Sequence, residues 1–367
     1  MLDRPMKIIS MPVDRGGCGQ YRIRQPLELL KAHTEHDTHV VDTVKDDMVA
    51  VAEALAVADV AIVRQGGEIG MQMIKEKPEY AHLKWVLDID DNVELISPYS
   101  EHYKEYGTKE YFDRNSGNWI WRNGVHGFDV SKNMNRILNL LNGMKEADMV
   151  TVTTQKLANY AKKYNPNVVV LPNAVDVDKW WKLDFKPNKQ LRVGWSGGIS
   201  HYEDWYSIQK PLNDLMRKYQ FKLVNVGSSF QGIVDEDNKG LLEIHPWVAF
   251  EAHSWHMACM NLDVAIVPLA DLPFNNYKSS IKFYEMSALG VPSVVSNILP
   301  YKKDVKDGEN ALGYDSAEDF YNALESLLKS SAKRKKIGDG ALKWVNNKHN
   351  AKKLVPVWEN AYASLLK

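Results

Sequence analysis

Unbroken runs of apolar residues recur along the first half of the chain, and between most of them apolar positions return at helical spacing. Residues 6–11 (MKIISM), 39–41, 59–63 (DVAIV), 84–89 (KWVLDI), 149–152 and 168–171 (VVVL) have the length and β-branched content of strands. Residues 21–32 and 155–163 carry helical periodicity. A strand apolar at successive positions, not alternate ones, is buried on both faces, as in a parallel sheet with helices above and below it. The pattern stops at Pro172 and a polar link, 182–190, then starts again with 191–195 (LRVGW), 221–226 (FKLVNV), 241–244, 262–267 (LDVAIV), 293–296 and 311–314. Two consecutive βα series predict an α/β protein of two Rossmann-like, doubly wound domains facing a cleft. The expected limits are 1–175 for the first domain, 176–350 for the second and 351–367 for a terminal helix. In that helix Val357, Trp358, Tyr362 and Leu365 are expected to form an apolar side that packs back on the first domain.

One region breaks the rhythm. Residues 97–135 have little periodicity but many large aromatic and amide side chains, among them Tyr99, Tyr103, Tyr106, Tyr111, Phe112, Trp119, Trp121, Asn123, His126 and Phe128. So many aromatics argue against disorder, and a long insertion after a strand is the usual place for a binding wall. A lid that only stabilises the domain is the alternative.

Composition narrows the setting. The 367 residues include 46 Lys and Arg against 47 Asp and Glu, a net charge of −1, so no global field draws the protein to nucleic acid or to a membrane, although a local basic patch is compatible with that total. With 44% hydrophobic and 25% charged residues the chain can bury a substantial core. No apolar run approaches the roughly 18–20 residues of a membrane span. Asp3, Arg4 and Pro5 near the N-terminus do not make a signal peptide. Cys18 and Cys259 have no paired spacing, which removes a disulfide framework or a zinc site as the organising device. A cytoplasmic protein is expected.

Three stretches carry candidate chemistry. Asp14-Arg15-Gly16-Gly17-Cys18-Gly19-Gln20 joins the first strand to the first helix, where glycines let a ligand approach the backbone and the helix start offers free N–H groups. It lacks the third glycine of the dinucleotide fingerprint, and a plain tight turn is the competing reading. Arg22 and Arg24, one turn on, could neutralise phosphate or cap a solvated face. Asp88-Ile89-Asp90-Asp91-Asn92 ends the fourth strand, and alternation puts Asp88 and Asp90 on one face. Crowded carboxylates need compensation, by an acceptor hydroxyl, a cation or a basic partner, and Asp91 or Asn92 could equally cap a helix. The third stretch follows 262–267: Ser279 and Ser280 open a helix in which Lys282 and Glu285, three apart, share a face. One hydroxyl-rich helix end, one cation and one carboxylate could hold a diphosphate and ribose hydroxyls; a surface ion pair behind an ordinary cap would look the same.

Taken together these pieces resemble the nucleotide-sugar glycosyltransferases of the GT-B fold, in particular the retaining group-one, family-four-like type. The resemblance spans nearly the whole chain: Gly16–Gly19 with Tyr21-Arg22, Ala147-Asp148 with 150–154 (VTVTT), 171–176 (LPNAVD), 193–197 (VGWSG), Gly227, Pro268-Leu269, Ser279-x-x-Lys282-x-x-Glu285 and 288–292 (ALGVP). It implies a transferase acting on a nucleoside-diphosphate sugar, with a UDP-sugar as the expected donor. In that role Glu285 would bind the donor ribose, Ser279, Ser280 and Lys282 the diphosphate, and Trp247 in His245–Val248 the base. Gly17 and Gly19 would approach the phosphate or the sugar, with Gly197 and His201 on the facing turn; His201 is alternatively a helix cap.

Two departures bear on the chemistry. Where many relatives carry a second glutamate eight residues before Glu285, this chain has Tyr277. Where many place a histidine after the fourth strand it has Asp88-x-Asp90-Asp91, so Asp90, Asp91 or His126 is expected to meet the transferred sugar or the acceptor. No cofactor is required by the resemblance, and a divalent metal remains compatible with the aspartates. The acceptor is a glycan, a small molecule or DNA. The insertion with Trp119, Trp121 and Arg122 resembles that of phage-type enzymes, some of which modify hydroxymethylated pyrimidines in DNA, and aromatics beside basic residues suit a flipped base. An epimerase on the same fold and a binding module without turnover are the other classes.

Overall fold

The computed structural model describes residues 4–42, 44–180, 183, 186–228 and 231–367; the first three residues and part of the expected 182–190 link lie outside that set. The chain forms two six-stranded parallel sheets, each covered by helices on both faces. In the first, β1 (Lys7–Ser10), β2 (Asp37–Val40), β3 (Val60–Arg64) and β4 (Lys84–Ile89) are joined by two later strands, β7 (Met149–Val152) and β8 (Val168–Val170), in the order β2-β1-β3-β4-β7-β8. The second contains β9 (Arg192–Gly197), β10 (Lys222–Gly227), β11 (Leu242–His245), β12 (Val264–Val267), β13 (Ser293–Ser296) and β14 (Leu312–Tyr314), ordered β11-β10-β9-β12-β13-β14. All twelve predicted strands are present. Their continuous apolar character has the expected cause: Trp85, Val86, Leu87 and Ile89 of β4 are all buried, though they point to alternate faces.

Strand order reverses between β1 and β3 in the first sheet and between β9 and β12 in the second. Loops leaving the carboxyl ends on either side of such a point diverge and leave a crevice. The glycine loop after β1, the aspartates after β4, the turn after β9 and the 268–280 segment after β12 all leave from these ends.

The insertion contains structure the pattern did not announce. A hairpin, β5 (Tyr111–Asp113) and β6 (Asn118–Trp121), turns through Gly117 at φ +70°. Strands of three and four residues, aromatic at most positions, show no alternation to read. Trp121 anchors the hairpin: its indole N–H donates to the Pro98 carbonyl at 2.6 Å and its ring packs against Phe128 and Tyr103. The irregular part is also shorter than expected, because helix Val130–Glu146 begins five residues before position 135, capped by the Asp129 side chain accepting from the Lys132 N–H.

At the other end, helix Val355–Ala363 lies on the first domain, with Trp358 and Tyr362 in one apolar cluster with Ile23, Leu27 and Leu30. Its buried side is Val355, Trp358 and Tyr362; Val357, expected there, faces solvent because it falls a third of a turn off that line. The crossing is fixed where Val175 donates to the His349 carbonyl and Ala351 to that of Val175.

Candidate active site

On the first domain, the glycine loop is closed by Asp14, whose Oδ1 accepts from the Gly16 N–H at 2.8 Å and the Gly19 N–H at 3.3 Å. Gly19 is glycine for packing: a Cβ there would stand 2.0 Å from the Asp14 carbonyl oxygen. Gly17 lines the cleft, where a Cβ would come no closer than 4.0 Å to the Phe250 ring. Arg64, the last residue of β3, bonds Asp14 at 2.8 Å and grips both oxygens of Asp90 at 2.9 and 2.7 Å. Arg22 bonds both oxygens of Asp88 at 3.0 and 2.6 Å, the pair being 3% and 2% exposed, and Thr151 adds a hydroxyl to the same carboxylate. Two of the three crowded carboxylates are thus compensated by arginines, and Arg22 is spent inside the domain, not on a phosphate. Asp90 sits below its usual range: burial opposes ionisation, but the Arg64 charge overrides it. Among the described residues Asp91 has no such arginine. Burial, and then the charge of Asp90, push its carboxyl up to about 6. The Cys18 thiol beside Asp90 is raised well above its ordinary value by that carboxylate and by burial.

On the second domain, the two serines part company. Ser280 donates to Asp304 at 2.6 Å and leaves helix Ile281–Ala288 without a side-chain cap, so it faces away from the cleft. Ser279 faces inward, its oxygen accepting from the Asn173 amide at 2.7 Å. With that lone pair engaged, the hydroxyl hydrogen is left to donate to a ligand. Glu285 is 1% exposed, yet borders the cleft. It accepts from the Tyr21 hydroxyl of the first domain at 2.8 Å and faces His253 and Lys282 at 3.5 and 3.4 Å. Burial alone would raise this carboxyl; Lys282, His253 and Tyr21 outweigh it and hold it at about 2. The Lys282–Glu285 ion pair is therefore real, but it forms the wall of a cavity. Trp247 lies against Gly227, whose φ of +102° and bare α-carbon admit the indole at a place where a Cβ would be 2.5 Å from it, and Lys282 stands 5.7 Å over the same ring.

The two faces enclose a cleft of about 680 Å³. Of the expected residues it brings together Gly17, Asp90, Asp91, His201, Trp247, Ser279, Lys282 and Glu285. Gly19 and Gly197 support it from behind; a Cβ on Gly197 would meet the Trp195 ring at 2.3 Å. His126 lies outside, exposed at φ +50° in a turn between Gly124 and Gly127, because the hairpin carries that loop off the cleft. Trp119 and Arg122 are exposed on or just after the hairpin and Trp121 is its anchor, so none of the three lines the cleft. The insertion still contributes, through His102, Glu105 and Tyr106.

Sequence reasoning missed Arg64, Gln65, Asn173, His253 and Lys278. Arg64 and Gln65 had a usable signal, since they stand at the end of a strand at the switch point, and Asn173 lay in the 171–176 stretch of the resemblance without a role; His253 had none, being brought in only by the packing of helix Phe250–Cys259. Among the described residues no group of three or more His, Cys, Asp or Glu side chains is arranged to hold a metal ion, and no helix is long and apolar enough to cross a membrane.

Several solved structures share this fold over nearly the whole chain. Sucrose-phosphate synthase from Thermosynechococcus elongatus matches 98% of this chain and 99% of its own, with a TM-score of 0.65 at 14% identity. The fold is GT-B. The Anabaena protein HepE, solved in complex with UDP-glucose, matches this GT-B chain over 98% of its length and 100% of its own at a TM-score of 0.63 and 14% identity. A glycosyltransferase from Rickettsia africae matches 99% of both chains at 0.60 and 11%. No family model and no curated protein matches the sequence. At these identities the likeness is one of fold.

Proposed function

We propose that the protein is a glycosyltransferase that moves a sugar from a nucleoside-diphosphate sugar, a UDP-sugar, to an acceptor hydroxyl, with retention at the sugar carbon. The observation that carries this reading is the row Lys278, Ser279 and Lys282 on the second domain, facing an unpartnered carboxyl, Asp91, across the cleft. Breaking a sugar–phosphate bond leaves positive charge on the ring and negative charge on the departing diphosphate. Fixed cations and an oriented hydroxyl at the departing end lower that barrier because they need no reorganisation as charge develops. Lys278, Lys282 and Ser279 are suited to that end, and Trp247 to the base. Glu285 takes the ribose hydroxyls in exchange for Tyr21. Gly17 leaves room for the sugar, with the Arg64–Asp90 pair behind it, and Asp91 orients the acceptor hydroxyl. HepE holds UDP-glucose in its complex, and the same donor is proposed here. The residues before 176 serve the acceptor side and those from 176 to 350 the donor.

A thermal-shift screen with UDP, GDP, ADP and their common sugars tests the donor. A rise with the uridine series is expected, and acceptor trials, hydroxymethylated DNA included, would follow. Glu285→Ala is expected to weaken donor binding by about 10- to 100-fold, the range of one or two hydrogen bonds to a charged group. No rise with any nucleotide, or wild-type affinity in Glu285→Ala, would overturn the assignment.

A further inference from the structure

One buried carboxylate of the donor domain is left without a part in that reading. Asp204 is 1% exposed and accepts three hydrogen bonds: from the Ala270 N–H at 2.8 Å, from the Asn275 amide at 2.8 Å and from His201 Nδ1 at 2.6 Å. The first two lock the carboxylate to the segment after β12, so its free lone pair has one direction, towards the imidazole. A carboxylate accepts, so Nδ1 carries the hydrogen and Nε2 keeps its lone pair. The ring is 12% exposed and held edge-on by Trp195, with centroids 5.9 Å apart. His201 lines the cleft with Lys278, Ser279 and Lys282, and Nε2 is the nitrogen left to that side.

An acceptor nitrogen among cations is a poor neighbour for a diphosphate unless it gains a proton. Burial, then Lys278 and Lys282, hold the imidazole down at about 4. A bound diphosphate brings negative charge to those same lysines and reverses their effect on the ring.

We propose that His201, positioned by Asp204, takes up a proton from solvent when the donor binds and donates an Nε2–H hydrogen bond to the diphosphate. Asp204 is a positioning residue: its negative charge stabilises the imidazolium and its two fixed bonds aim the ring. The charged groups bearing on His201 are Asp204 of its own turn and Lys278 and Lys282 from the segment after β12; Tyr301 and Asp91, whose carboxyl is pushed up to about 6, line the same cleft. The inference rests on the donor reading, and the test separates the two.

UDP-glucose is the probe, because its diphosphate is a diester with no ionisation of its own near neutral pH. Calorimetric titration near neutrality, in two buffers of different ionisation heat, should show net proton uptake by the wild-type protein. Affinity should rise as pH falls from about 8 to about 6, since the complex binds the extra proton. His201→Gln should lose most of that uptake, weakening binding by about 10-fold at the lower pH and less at the higher. Any uptake by Asp91 persists in both proteins, so the difference belongs to His201. Asp204→Asn should retain a ring but lose its charge partner, and reproduce the flattened profile. Tight binding with equal uptake in wild type and His201→Gln would overturn this inference and leave the donor reading standing. No binding of UDP-glucose at any pH would overturn both. The wild-type uptake needs no variant, so a destabilised Asp204→Asn does not decide the matter.

Discussion

Arg22 stands one turn past the glycine loop, where a cation would meet a phosphate, and yet it is buried against Asp88, Asn173 and the Leu171 carbonyl. Its work is to join the first helix to β4 and to the interdomain link. Removing one partner strands the other charge in the core, so Arg22→Met or Asp88→Asn should cost about 3–5 kcal/mol in urea unfolding. A loss of donor affinity with unchanged stability would contradict that assignment. Asp91 is the opposite case, a carboxyl held up at about 6 against an ordinary 3.8. The folded state prefers its protonated form, so the benefit is complete at low pH and disappears as pH rises through about 6. Above that, ionised Asp91 costs stability. Asp91→Asn should therefore be more stable than wild type near neutral pH, by on the order of 1–3 kcal/mol, with the gain shrinking as pH falls below about 6 and gone by about pH 4. Turnover should fall in the same variant. An equal gain at every pH would show that Asp91 is not the group responsible.

At the level of elements, the hairpin divides its tryptophans between two tasks. Trp121 bonds Pro98 and packs on Phe128, while Trp119 is 51% exposed and meets Phe112 edge-on at 5.3 Å. Trp121→Ala should destabilise the protein by on the order of 3 kcal/mol, the scale of a large aromatic lost from a packed site. Trp119→Ala should leave the melting temperature unchanged, and the pair of melts checks the division. Sequence reading grouped both with Arg122 as one surface because aromatics stand there beside a basic residue; which tryptophan was covered depended on Pro98, Tyr103 and Phe128, and no local pattern carries that. Likewise Ser279 and Ser280 read as one capping pair until Asp304, 24 residues further on, takes Ser280 away.

For the whole molecule, the two domains are tied by the 171–176 link, by the Tyr21–Glu285 bond and by the returning helix. Ending the chain at residue 350 would remove Trp358 and Tyr362 and expose the cluster of Ile23, Leu27 and Leu30 beneath them, a loss comparable to the marginal stability of a domain. Limited proteolysis of that truncation should find cleavage within the first sheet and its helices while residues 192–345 stay protected; equal protection of both halves would contradict it. Twelve strands, the two-domain α/β class and the loops that flank the cleft were legible from the sequence, because buried parallel strands are apolar at every position and Gly, Asp and Ser punctuate their carboxyl ends. The partners were not. Arg64 with Asp90, Asn173 with Ser279, Tyr21 with Glu285 and Asp204 with His201 all depend on which strand ends the sheet order sets side by side and on how one domain faces the other. A carboxylate reads the same in sequence whether an arginine neutralises it or a lysine waits across a cleft, and only the tertiary structure, by fixing its burial and its neighbours' charge, decided which aspartate became structure and which was left for chemistry.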